Sequence, residues 1–111
     1  MMFYHGTSLH RASSIMRDGM IKVAPHGVQC VSMTDDARVA CYFAALAADC
    51  DRSVPVIRPI DADRLRIDGF DIEPFEDQVY GEGECAWERE TACWQDIPIS
   101  YMPIEATRPE A

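Results

Sequence analysis

Cysteine pairs are missing from this 111-residue chain. Cys30, Cys41, Cys50, Cys85 and Cys93 are odd in number and no two stand at C-x-x-C spacing. Zinc sites and disulfide frameworks rely on such tight pairs, so neither is expected, and the thiols read as reduced and structural. No apolar run approaches the roughly 20 residues that span a bilayer, and no basic stretch precedes an apolar one as in a secretory leader. A soluble, cytoplasmic protein with no membrane partner and no metal is the expectation. Positive charge is also scarce, with 10 Lys and Arg against 19 Asp and Glu, a net charge of −9. The imbalance is local: residues 68–90 hold nine acidic residues and one basic residue, while the remainder is nearly neutral. Phosphate backbones are repelled by such a segment, which disfavours nucleic acid as a partner, whereas a basic protein surface is attracted to it.

What is present suffices for one folded domain over residues 1–111. The hydrophobic fraction of 48% suits a globular protein and is too high for a disordered one. Residues 2–5 read as a short buried strand ending at Gly6. Thr7 or Ser8 can cap a following helix, since a short hydroxyl accepts from the first free amides. Leu9, Ala12, Ile15 and Met16 fall at helical spacing, and Gly19 supplies the left-handed stop. Residues 28–33 form a second strand. Thr34 then caps a helix running to about Cys50, with Val39, Ala40, Phe43, Ala44, Leu46 and Ala47 on its apolar face. Residues 54–60 read as an edge strand because of Pro55 and Pro59. Residues 64–67 alternate as another short strand, and 68–85 as a long surface loop. Residues 85–94 and 97–102 close the fold as strands around a turn at Gln95–Asp96, with 102–111 as a loose tail. The class is α+β, with two main helices.

Three signals carry chemistry. His5-Gly6-Thr7 ends the first strand, Tyr42 sits in the second helix after "VSMTDD", and Glu88-Arg89-Glu90 lies in a late strand behind the acidic segment. In this order, "YHGTSLHRASSIMRDGMI", "VSMTDDARVACYFA" and "ERETACWQDIP" resemble the ADP-ribosyltransferase superfamily, over roughly residues 3–102. The resemblance implies a split β-sandwich of two small antiparallel sheets that binds NAD in the cleft between them, without the G-x-G-x-x-G loop, which the chain lacks. It implies that His5 meets the adenosine ribose, Gly6 admits the nicotinamide amide to the backbone, and Thr7 orients the neighbouring ribose. Ser32 and Thr34 become scaffold hydroxyls, and Tyr42 a stacking partner for the cationic nicotinamide ring. Glu90 becomes the catalytic carboxylate, supporting oxocarbenium character as in glycoside cleavage. Glu88, two residues earlier on the same strand face, positions an acceptor such as an arginine.

The implied activity is mono-ADP-ribosyl transfer to a protein acceptor, of the kind made by toxins or phage-encoded modifiers. Ser32 stands where the polymerase-like branch has tyrosine, and His5 where arginine-specific toxins have arginine, which leaves the acceptor open. No cationic cluster marks a pyrophosphate site, although Arg11 or Arg17 could serve. Three alternatives remain: an NAD glycohydrolase, an enzyme acting on RNA 2′-phosphate, and a non-enzymatic inhibitor whose acidic run mimics a nucleic-acid backbone.

Overall fold

The first strand, buried at Phe3, Thr7 and Ser8, sets the architecture. A computed structural model describes residues 2–25, 29–74 and 90–103. Strand β1 (Met2–Ser8) leads into helix α1 (Leu9–Asp18), followed by β2 (Met20–Ile21), β3 (Val31–Thr34) and helix α2 (Ala37–Asp51). Then come β4 (Pro55–Asp61), helix α3 (Ala62–Ile67), β5 (Ile72–Pro74), β6 (Glu90–Cys93) and β7 (Ile97–Pro98), with a 3-10 turn at Ile99–Tyr101. Five strands form one sheet in the order β4-β1-β3-β6-β5, and β2 pairs with β7 in a second; every pairing is antiparallel. The chain is therefore α+β, with two antiparallel sheets and three α-helices among the described residues. No helix there is long and apolar enough to cross a membrane.

The helix ends show why these segments fold locally as they do. Ser8, in extended geometry, caps α1 by accepting from the Arg11 amide at 3.1 Å, so the cap falls to Ser8 and not to Thr7. Gly19 ends the helix at φ +80°, its N–H donating to the Ile15 carbonyl at 2.9 Å. Helix α2 is capped by Asp36, which accepts from the Arg38 amide; Thr34, the expected cap, instead accepts from the Asp36 amide at 3.1 Å. Arg52 closes α2 in the left-handed region at φ 59°, a conformation that strains a residue with a Cβ. Arg52→Gly is expected to stabilise the fold by about 0.5 kcal/mol, the left-handed penalty outweighing glycine's added chain entropy, and to raise Tm by roughly 2 °C in a thermal melt.

Residues 64–67 correct the sequence reading, since they belong to a helix and not to a strand. Asp61 caps α3 by accepting from the Arg64 amide, and Leu65 is fully buried beneath it. The surface loop expected over 68–85 contains β5, which pairs with β6. The last expected strand is shortened to Ile97–Pro98, and Met102 is buried in the core, not part of a loose tail.

The core lies on one face of the five-stranded sheet. Phe3, Val31, Met33, Ile60 and Cys93 meet Ile15 of α1, Ile21 and Ile97 of the small sheet, and Leu65 of α3. Helix α2 packs on the other face through Val39, Ala40, Ala44 and Ala48, all buried. Small side chains here let the helix approach the sheet closely. At Gly6 the approach is extreme, for a Cβ added there would stand 2.1 Å from the Ala40 carbonyl oxygen and 2.8 Å from the Ala44 nitrogen.

Candidate functional site

Strand β1 is held very differently on its two sides. Against β4 it forms a continuous ladder from Met2–Asp61 to Ser8–Pro55, whereas against β3 it pairs only at Tyr4–Thr34. Past that bridge the two strands part, and His5 to Thr7 border an opening. One contact crosses it: His5 Nδ1 lies 2.8 Å from the Ser32 carbonyl oxygen. A carbonyl only accepts, so Nδ1 carries the proton and Nε2 is left as an acceptor while the ring is neutral. Burial lowers the His5 pKa, assisted by the Arg11 charge and opposed by the Ser32 hydrogen bond. The neutral form of the imidazole is thus favoured.

Ser32 continues the chain of contacts, its hydroxyl donating to Glu90 Oε2. The geometry follows from register: Thr34 pairs with Glu90 and Ser32 with Ala92, which sets Ser32 and Glu90 diagonally on one face of the sheet. Glu90 is 6% exposed, and its Oε1 is buried with no hydrogen-bond partner among the described residues. Burial raises the Glu90 pKa and the Ser32 hydroxyl counters part of that effect. A half-satisfied buried carboxylate is costly for a fold and well suited to receive a hydroxyl or a cation.

Two adjoining depressions share His5, Gly6, Arg11 and Ser32. One, of about 340 Å³, lies toward α2, where Tyr4, Thr34, Ala40, Phe43, Ala47, Cys50 and Glu90 complete its walls. The other, of about 550 Å³, lies toward α1 and β2, bordered also by Thr7, Ser14, Lys22 and Cys30. Each falls within the range of small-molecule sites, roughly 300–1,000 Å³. Of the two arginines considered for a phosphate, Arg11 lines both depressions, while Arg17 donates to Ser14 and pairs with Asp18.

Six of the eight expected site residues lie at this cleft. His5, Gly6, Thr7, Ser32, Thr34 and Glu90 border the cleft; Glu88 lies outside the described residues. Tyr42 sits elsewhere, 45% exposed beside an open depression of about 610 Å³ lined also by Asp49, Arg52 and Pro55. The neighbouring ring, Phe43, takes the place in the cleft and meets Tyr42 edge-on at 5.7 Å. One residue along a helix is a rotation of about 100°, so the two rings cannot share a face. Gly6 lines both depressions, and the space left by its missing side chain is occupied by the α2 backbone. Phe43 was legible in principle, standing three residues after Ala40 and four before Ala47 on the buried face.

Among the described residues no group of three His, Cys, Asp or Glu side chains is placed to hold a metal ion. Compared with known proteins, the chain matches no family model and no curated protein sequence.

Proposed function

We propose that the chain is an NAD-dependent mono-ADP-ribosyltransferase acting on a protein acceptor, built as an ADP-ribosyltransferase-like split sandwich. The observation that carries the reading is the linked series His5–Ser32–Glu90. Residues from the opening turn, the middle strand and the last part of the chain meet at one cleft, where two strands of the sheet part. That convergence supports the resemblance of the three short motifs.

In this reading His5 Nε2 accepts from a ribose hydroxyl of the adenosine half, and Arg11 faces the pyrophosphate. Phe43 replaces Tyr42 as the ring beside the nicotinamide. Glu90 Oε1, free of other partners among the described residues, accepts from a hydroxyl of the nicotinamide ribose and stabilises positive charge developing at C1′. The C1′–N bond breaks with its electron pair leaving on nicotinamide. The acceptor's lone pair forms the new bond to C1′, and its proton passes to a carboxylate or to solvent. The acidic residues from Asp68 onward would favour an acceptor with a basic surface. A cytoplasmic setting suits free thiols at Cys30, Cys41 and Cys50.

The test is incubation of the chain with NAD and a mixture of basic protein acceptors, following nicotinamide release and the mass of each acceptor. Release together with a gain of one ADP-ribosyl unit on protein is expected. Release with free ADP-ribose alone would indicate a glycohydrolase, and no release would overturn the reading. Phe43→Ala is expected to weaken NAD binding about fivefold, from loss of ring contact, while Tyr42→Ala leaves it within twofold in calorimetric titrations.

A further inference from the structure

A knot of side chains joins the start of α1 to the end of α2 at the rim of the cleft. Its centre is Asp51. Ser8 Oγ donates to Asp51 Oδ2 at 2.5 Å, and Ser53 Oγ donates to Oδ1 at 2.8 Å. The same Ser8 oxygen accepts from the Arg11 amide, and Asp51 Oδ2 stands 4.0 Å from Arg11 Nε. Arg11 is therefore tied twice to one point, by its backbone through Ser8 and by its side chain to the carboxylate. Both carboxylate oxygens are engaged by hydroxyls, so the group facing Arg11 is fixed in direction. Asp51 is 20% exposed at its side chain and Arg11 59%, and Arg11 borders both halves of the cleft.

We propose that Asp51 is a positioning residue that holds the Arg11 guanidinium side-on, leaving its terminal nitrogens to receive the diphosphate of a nucleotide in the cleft. The inference rests on the nucleotide-binding reading of the site. A long, exposed arginine loses much rotamer freedom when it captures an anion, and a fixed carboxylate at Nε removes part of that loss before the ligand arrives. The cost is a second negative charge near the ligand. Asp51 lines neither depression and is partly exposed to solvent, where charge is screened, so the ordering effect prevails. Nothing in the sequence pointed to Asp51, since its contacts with Ser8 and Arg11 join residues 43 and 40 positions apart.

The experiment compares ADP with adenosine by calorimetry on the full chain. ADP is expected to bind more tightly than adenosine to the wild type. Asp51→Asn should weaken ADP about fivefold and leave adenosine unchanged. Arg11→Lys keeps the charge, leaves the Ser8–Asp51–Ser53 contacts intact and removes the side-on nitrogen. It should weaken ADP by a similar factor, and Asp51→Asn added to it should have no further effect. Should Asp51→Asn fail to fold, Arg11→Lys alone decides. Wild-type ADP affinity in Arg11→Lys overturns the proposal, as does a loss in Asp51→Asn that extends equally to adenosine. Loss of ADP in Arg11→Ala but not in Arg11→Lys or Asp51→Asn overturns the role of Asp51 and leaves the nucleotide reading standing. Failure of the wild type to bind ADP overturns both.

Discussion

Glu90→Gln is expected to cut nicotinamide release about a thousandfold while making the protein more stable. The two effects share one cause. Glu90 is nearly fully buried, one of its oxygens has no partner among the described residues, and burial raises its pKa. A neutral amide of the same shape removes the burial penalty of the charge, for a gain of about 1 kcal/mol or roughly 4 °C in Tm near neutral pH. The sign of the pH dependence follows from the raised pKa. The folded state binds this proton more readily than the unfolded chain, so the penalty is fully present above the folded pKa. It shrinks as the pH falls and is gone below the unfolded value near 4. The advantage of Glu90→Gln in thermal melts should therefore fade across that acidic window. Equal stability of the two proteins at pH 7, or normal turnover by the variant, would count against the role given to this carboxylate.

Gly6→Ala should have the largest effect on folding. The added methyl group would meet the Ala40 carbonyl oxygen at 2.1 Å and the Ala44 nitrogen at 2.8 Å. Both are backbone atoms of a helix, so no side chain can rotate out of the way. Either α2 lifts from the sheet or β1 shifts against its ladder with β4. A cost of about 3 kcal/mol is expected, lowering Tm by roughly 10 °C or more in chemical and thermal denaturation. Because α2 also carries Phe43 and Ala47 into the cleft, material that remains folded should bind NAD poorly. Wild-type stability in this variant would mean that α2 does not rest on Gly6.

Local signals were the legible ones. The Gly19 stop depends on a few neighbouring residues and could be read directly, and the cap of α1 was narrowed to Thr7 or Ser8, of which Ser8 serves. Residues 64–67 misled because Arg-Leu-Arg-Ile satisfies a two-residue period as well as one turn of helix. What decided the case was Asp61, capping from the end of β4. The linked His5–Ser32–Glu90 series takes one residue from each of the three short motifs, on β1, β3 and β6. Its hydrogen bonds depend on register across 27 and 58 residues, which no local pattern encodes. Tyr42 and Phe43 show the same boundary. Two adjacent rings announce an aromatic contact, yet only the seating of α2 on Gly6 selects which one faces inward.

The lone bridge between β1 and β3 has a consequence for motion. Strands normally secure each other by a run of paired amides, but here the seam beyond Tyr4–Thr34 is joined across by His5 and Ser32. Deuterium should therefore enter the His5–Thr7 backbone along this seam sooner than it enters β6, and a molecule lodged between the strands would slow that entry by acting as the missing stitches.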